Sequence, residues 1–297
     1  LNEKMKQLVD LHVHSNESDG SYSPADVIDF AVKAGVSAVA LTDHDTIAGL
    51  AAAACRAADY PQLSFIPGIE ISAEYSPGIM HILGLGVNPT DAGLNAVASR
   101  LRESRANRNP QIIEKLRSLG VDISFDEVLE ESRKDASPDA VLGRLHIAMV
   151  LVKKGFARNI ADAFEKFLGN HAPAYVPKDH LLPAQAVAAI NSAGGTAILA
   201  HPVQLECANE LQLETLLRKL MHVGLGGMEC YHSSHNDVQT RTYLRLAQKL
   251  GLIITGGSDY HGLGKPDVAI GRPPVPMSIV GEKNIMRWRG QAAGLPA

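Results

Sequence analysis

Seven short apolar runs constrain the fold of this chain more than any other feature. They are Leu8–His14, Ser37–Asp43, Ser64–Ile71, Met80–Val87, Thr196–His201, Gly226–Tyr231 and Leu252–Asp259. Each spans six to eight residues beside Gly or polar positions, which favours strands over pieces of buried helix. Segments of helical pattern lie between several of them: Ser23–Gly35, Ala48–Asp59, Glu210–His222 and Asp237–Gly251. In the first, Ser23 is placed to cap, Pro24 to start the helix, Asp26 to sit in its first turn and Gly35 to end it. Near-continuous apolar strands alternating with helices predict an α/β chain with a mostly parallel sheet. Its 297 residues are within the range that α/β barrels fold as one domain.

The interval Asn88–Gly195 interrupts this rhythm and reads as mostly helical, over Leu94–Gly120, Phe125–Lys134, Leu142–Gly155, Ile160–Leu168 and Pro183–Ser192. The last can be a crossover helix. The others predict a small helical insertion domain at 99–175, leaving 1–98 and 176–297 for the main unit. The tail after Gly262, with Pro266, Pro273, Pro274 and Pro276, reads as loop and a short closing helix.

Composition excludes several classes. There are 28 Lys and Arg against 32 Asp and Glu, a formal charge of −4, which disfavours the many phosphate contacts of a duplex-binding module. No apolar run approaches the roughly 18 residues of a membrane span, and the first residues, LNEKMKQLVD, lack a signal-peptide core. Cys55, Cys207 and Cys230 form no disulfide framework, so a cytoplasmic location is expected. Oligomeric state has no handle in the sequence.

The informative residues sit at the strand ends. The first strand ends in His12-Val13-His14, and Asp43-His44-Asp45 follows the second. Glu70 ends the third, the fourth carries His81, His201 ends the fifth, and Asp259-Tyr260-His261 ends the seventh. Residues i and i+2 of a strand share a face, so His12 and His14 can meet one ion. A parallel α/β barrel gathers its strand C-termini on one rim, where active sites form. Imidazoles and carboxylates together suit manganese, iron or zinc, and cations relieve the repulsion of clustered acids. His12, His14, Asp19, His44, Glu70, His81, His201, Asp259 and His261 are too many donors for one four-coordinate ion and enough for two or three, with Glu70 a candidate bridge. The expected cofactors are therefore two or three divalent transition-metal ions, manganese first. No cysteine falls among these positions, which argues against a thiolate zinc site.

The segments DLHVHSNESDGSYSP, ALTDHDTIAGL, PGIEIS, HILGLG, AHP and GSDYH resemble the PHP (polymerase and histidinol phosphatase) superfamily of metal-dependent phosphoesterases. The resemblance covers essentially the whole chain. It implies a distorted seven-stranded (β/α) barrel whose nine metal ligands fall on the nine positions above. By that analogy His12, His14, Glu70 and Asp259 hold one ion, Asp19, His44 and His261 a second, and Glu70, His81 and His201 a third. Within the superfamily the chain looks like the stand-alone branch of nucleoside 3′,5′-bisphosphate phosphatases and ribonuclease AM, a 5′-to-3′ exoribonuclease.

That branch has a basic helix in the insertion, then Arg-x-His and Tyr-Val-Pro elements. Here these are Arg100–Arg117, Arg144-Leu145-His146 and Tyr175-Val176-Pro177 with Lys178. Arg105, Arg108, Arg144 and Lys178 are the expected phosphate contacts, with His146 a lesser candidate; Arg100, Arg102 and Arg117 read as a solvated face. Pro110 inside the basic helix departs from the branch pattern. Asp43 or Asp45 is expected to orient an imidazole and Thr46 to cap the next helix, while His232 and His235 are extra to the set. His171, His180 and His222 carry no assigned role.

The chemistry implied is phosphate-ester hydrolysis by hydroxide generated at the cations, with no Ser or Cys nucleophile. Asp19 and Glu70 act there as ligands and His201 is a candidate proton donor to the leaving group. The expected substrate is a nucleoside 3′,5′-bisphosphate losing its 3′-phosphate. Short 5′-phosphorylated RNA comes second and histidinol phosphate third. Two other classes compete: a non-catalytic metal-binding regulatory module, and an amidohydrolase. The second normally needs a barrel lysine, which no strand end here supplies.

Overall fold

The computed structural model describes residues 7–132, 142–177 and 181–294. Its elements run β1 (Leu8–Val13), α1 (Pro24–Ala34), β2 (Ala38–Leu41), α2 (Leu50–Ala57), β3 (Ser64–Ala73), β4 (Met80–Leu85), α3 (Ala92–Ser118) and α4 (Phe125–Ser132). Then come α5 (Arg144–Lys153), α6 (Ile160–Ala163), α7 (Pro183–Ser192), β5 (Thr196–Leu199), α8 (Glu210–His222), β6 (Gly227–His232), α9 (Asp237–Leu250), β7 (Ile253–Gly257), β8 (Val275–Pro276), α10 (Met277–Val280) and α11 (Glu282–Arg289).

All seven expected strands form one sheet, ordered β7-β6-β5-β4-β3-β2-β1-β8. The two-residue β8, which the sequence placed in loop, pairs antiparallel to β1. The sheet curls until β1 meets the end of β7, where the His14 amide donates to the Tyr260 carbonyl and the Asp259 amide to the His12 carbonyl. The result is a nearly closed barrel. It is mostly parallel, but β4 runs antiparallel to both neighbours. That reversal explains His81. It lies at the start of β4, opposite Ser72 near the end of β3, and so reaches the same rim as residues at the ends of parallel strands.

Side chains alternate as the pleat demands. Val9, Leu11, Ala38, Ala40, Ile66, Leu83, Leu85, Ile198 and Ala200 fill one core, closed by Val280, Ile285 and Trp288 from the C-terminal helices. The Trp288 indole donates to Thr196 Oγ1, so the expected closing helix plugs one end of the barrel. Ile69, Ile71, Met80, Ile82, Ala197, Leu199, Met228 and Cys230 face the helices instead. A register shift between Asp10 and Val13 re-phases β1: Val13 joins the helix-facing core while His12 and His14 turn to the interior.

The helix α3 joins two cores. Leu94, Ala98 and Leu101 pack on the barrel, whereas Ile112, Ile113 and Leu116 belong to a second cluster with Val121, Ile123, Ile147, Leu151 and Leu168. It runs unbroken through Pro110. Contacts in the turns before the proline hold it: Arg105 on Asp45, and the Asn109 amide on the Leu142 carbonyl. Among the described residues no helix is long and apolar enough to cross a membrane.

Candidate active site

The barrel rim brings all nine sequence-selected donors into one cup, with Glu70 at its centre. Glu70 Oε2 lies 3.2 Å from His12 Nε2, 3.2 Å from His14 Nε2 and 3.1 Å from His44 Nδ1. Its other oxygen is 2.9 Å from His81 Nδ1 and 2.9 Å from His201 Nε2. Asp259 Oδ1 faces His14 Nε2 at 3.3 Å and His261 Nδ1 at 3.4 Å, while Asp19 Oδ1 lies 3.1 Å from His261 Nε2.

Backbone geometry delivers these groups. His44 is held because the loop after β2 still pairs with β3, the Asp45 amide donating to the Glu70 carbonyl. Asp45, His201 and Asp259 all adopt positive φ, at 56°, 23° and 57°. Such conformations cost about 1–3 kcal/mol each and persist where the surroundings over-determine them. Gly257 permits β7 to approach β1, since a Cβ there would stand 2.4 Å from that of His12.

The charges are mutually arranged. Burial raises the pKa of Glu70, but His44, His12 and His81 outweigh it and hold the carboxylate well below its usual range. Asp19 is likewise low, burial being overcome by His261, His44 and His14. Burial raises Asp259 as well, but Lys265, His261 and His12 outweigh it and hold it low. Burial opposes the charged form of His12, yet Glu70, Glu229 and Asp259 raise it well above an ordinary histidine. His14 is raised to about 9 in the same way, by Asp259 and Glu70 against burial. Burial dominates at His44 and His201, and with Lys265 and His14 at His261; all three are lowered, His201 to about 4. The surroundings thus push His12 and His14 toward the charged form and His44, His201 and His261 toward the neutral one.

The donor set fits divalent cations. His12 Nε2, His14 Nε2, His44 Nδ1 and Glu70 Oε2 are all buried and make no hydrogen bond of good geometry. An unsatisfied buried polar atom costs about 1–3 kcal/mol, so four converging on one point are unstable without a common partner. Donors bound to one ion at about 2.0–2.2 Å stand roughly 3–3.5 Å apart, the separations found here. The donors fall into overlapping groups: His12, His14, Glu70 and Asp259; His14, Asp19, His44 and His261; and His44, Glu70 and His81. His201 adjoins the last, its Nε2 3.2 Å from His81 Nδ1.

Some expectations need correction. Asp43 accepts from the Ser15 amide and the Ser15 and Ser18 hydroxyls and reaches His14 through Ser18, while Asp45 accepts from the Ser72 amide and Arg105. Their role is to shape the loops that carry Asp19 and His44. Thr46 accepts from the Ala48 amide in a local turn, and α2 starts at Leu50 without a side-chain cap. His146 is buried and its Nδ1 accepts the Gly143 amide, so it caps α5. Lys178 and His180 lie outside the described residues. His171 and His222 are exposed.

Three residues outside the nine also lie here, of which the sequence singles out His232 alone. Glu229 points inward from β6, fully buried, 3.2 Å from His12 Nδ1. His232 Nε2 lies 3.4 Å from Asp259 Oδ2. Lys265, from the loop beyond β7, binds the same oxygen at 2.5 Å. It is a paired ammonium rather than a bridging ligand. The alternating phase of β6 could have pointed to Glu229; nothing local marks Lys265.

A cleft of about 530 Å³ opens over the cup and shares Asp19, His44 and His81 with it. Arg105, Arg108, Arg144, Tyr75, Phe164 and Tyr175 line it. Arg105 is anchored by two bonds to Asp45 Oδ2, at 2.9 and 2.6 Å. Arg144 donates to the Leu168 carbonyl and lies over the Phe164 and Tyr175 rings. Arg108 is 4% exposed, and its Nε has no partner. Burial, then Arg105 and Arg144, press its pKa down to about 9. Asp19 and Glu74 border the cleft too, but among the described residues neither pairs with Arg108 or Arg144, which leaves these two guanidiniums without a carboxylate partner.

Residues 10–168 match the PHP domain family. The chain belongs to the PHP family. It is 33% identical to the 3′,5′-nucleoside bisphosphate phosphatase of Chromobacterium violaceum, across 90% of this chain and 93% of that protein. It is 32% identical to a 5′-3′ exoribonuclease of Haemophilus influenzae, across 86% and 91%. A solved metal-dependent phosphoesterase of Bifidobacterium adolescentis superposes with a TM-score of 0.85 at 29% identity, covering 95% of this chain and 96% of that one. As a PHP protein the chain is a phosphate-ester hydrolase, and its acid–imidazole cup is the place for divalent metals.

Proposed function

We propose that this PHP protein removes the 3′-phosphate from nucleoside 3′,5′-bisphosphates, giving a 5′-mononucleotide and phosphate. The observation that carries the reading is the juxtaposition of an acid–imidazole cup with an under-neutralised arginine cleft. The cup holds cations, the cleft a second phosphate. The nine donors would hold two or three divalent ions, manganese before iron or zinc. Bound cations would neutralise phosphate oxygens and make hydroxide available near neutral pH.

The protein's own groups do the rest. Arg108 and Arg144 grip the non-reacting phosphate, with Arg105 fixed by Asp45 as the wall between cleft and cup. This sets the ester over Glu70 and Asp19, trading translational freedom for binding energy. Burial keeps His201 neutral, the form that can offer its Nε2 lone pair to a cation, so the leaving oxygen would take its proton from water rather than from His201. The Tyr75, Phe164 and Tyr175 rings give the nucleoside an apolar surface. The cleft volume is within the roughly 300–1,000 Å³ of small-molecule sites, and suits one nucleotide better than an extended strand. We assign 1–98 and 176–297 to the metal-binding barrel and 99–175 to the phosphate-gripping insertion, and expect a cytoplasmic protein.

A second reading, shortening of 5′-phosphorylated RNA, is favoured by the exoribonuclease relative and by an arginine grip that serves either 5′-phosphate. Phosphate release from adenosine 3′,5′-bisphosphate with added Mn²⁺ tests the first reading. If that compound is untouched while 5′-phosphorylated oligoribonucleotides are shortened, the second replaces it.

A further inference from the structure

The group His12, Glu229 and His232 lies directly behind the cup and contains donors of the right kind for another ion. Hydrogen placement decides against that use. The Ser234 amide lies 3.0 Å from His232 Nδ1, and a backbone N–H can only donate. That nitrogen therefore offers its lone pair to Ser234, and a neutral His232 carries its hydrogen on Nε2, the atom turned to Asp259 and Glu229. His232 thus turns an N–H rather than a lone pair toward the acids, at 3.4 Å from Asp259 and without a hydrogen bond of good geometry, which does not suit a ligand.

Glu229 is committed as well. Its Oε2 accepts the His201 amide at 2.8 Å, and its Oε1 faces His12 Nδ1 at 3.2 Å. These two contacts reach different parts of the cup. One is to the side chain of a residue whose Nε2 points at Glu70 and Asp259. The other is to the main chain of His201, held at a φ of 23° that few non-glycine residues adopt.

We infer that Glu229 is a positioning residue of the metal centre. It keeps the His12 hydrogen on Nδ1, leaving the Nε2 lone pair for a cation, and clamps the turn that aims His201 at Glu70. The inference rests on the metal-centre reading and is independent of the substrate. A carboxylate behind a ligating imidazole also raises its basicity, and removing such a partner costs about 10–100-fold in metal affinity.

Glu229→Gln tests it with little change of shape. A glutamine offers one acceptor where the carboxylate offers two, so its NH₂ must oppose either the His12 Nδ1 hydrogen or the His201 amide. Mn²⁺ titration of chelator-stripped protein, with metal counted by mass spectrometry, should show about a 10–100-fold weaker site or the loss of about one ion. Unchanged stoichiometry and affinity, with only a lower Tm of the metal-free variant, would overturn the inference. Should the variant not fold, long-range ¹H–¹⁵N correlation of wild-type histidines loaded with diamagnetic Zn²⁺ decides. The expected result is His12 with hydrogen on Nδ1 and metal at Nε2, and His232 with hydrogen on Nε2. Hydrogen on His12 Nε2, or metal on His232, sinks the inference. A wild type that takes up no metal would overturn the metal-centre reading, and the inference with it, whereas metal uptake without phosphate release from the bisphosphate touches only the proposed substrate.

Discussion

The cup and the cleft meet at Asp19, His44 and His81, yet they handle charge in opposite ways. In the cup, acids and imidazoles come from nearly every strand of the barrel, and protons can stand in for cations. In the cleft, the arginines come from α3 and the first turn of α5, and among the described residues only Arg105 of the three has an ion-pair partner, Asp45. Rigid strand ends suit a centre whose donors must agree to within a fraction of an ångström. A helical insertion can change its grip without disturbing them. The contrast separates two tasks on one substrate: activating the ester, and choosing which phosphate-bearing molecule is held.

The harshest break of that contrast is in the cup. Glu70→Gln should lower kcat by at least about 10²–10³-fold, a loss typical of removing a central electrostatic group, and should reduce bound metal in the same preparation. Full metal content with full activity would remove Glu70 from the centre.

The cleft should answer differently. Arg108→Met should cost about 10–100-fold in kcat/KM for a bisphosphate, the worth of a charged hydrogen bond of about 1.5–3 kcal/mol, while metal content stays constant. The Tm of the substrate-free variant should be equal or higher, because a buried cation with no carboxylate partner among the described residues is gone. A fall in both metal content and Tm would mean that Arg108 supports the cup.

A pH series sharpens the comparison. In metal-free protein the His14 pKa is raised to about 9 from its ordinary value near 6.5. Its contribution to stability is then complete below pH 6.5 and is lost as pH rises through 9. Cations take the place of those protons, so the Tm gain from added Mn²⁺ should widen between pH 6.5 and 9. A gain that shrinks over this interval would contradict the exchange of protons for metal.

The smallest effect is expected at Pro110. Pro110→Ala restores a helix amide, yet α3 is already continuous, so stability should rise by no more than about 1 kcal/mol in a denaturant titration, with kcat/KM unchanged. A large change in kcat/KM would show that the proline sets the position of Arg108.

Much of this molecule is legible along the chain. The strands announce themselves because a barrel strand buried on both faces must be apolar throughout, and His12-Val13-His14 shows its shared face through the two-residue period. Glu70 stands out as a charged group inside an apolar run, and His201 and Asp259 as polar groups ending theirs. The reversal of β4 is not legible, because an antiparallel strand has the same composition as a parallel one; only pairing shows why His81 at its start joins groups at other strands' ends. Lys265 is hidden for a related reason, since a lysine in a Gly- and Pro-rich loop carries no periodic signal.

Sequence alone determined the residue types and their phase: which side chains alternate inward, where helices begin, and that acids and imidazoles border the strands. Tertiary structure decided what those groups meet. It turned Asp45 to Arg105, Glu229 to His12 and Lys265 to Asp259, because contacts between residues far apart in the chain are set by sheet closure and the close approach of β7 to β1. Local propensity acts over a few residues. Electrostatics acts over a few ångströms, and only the fold converts one into the other.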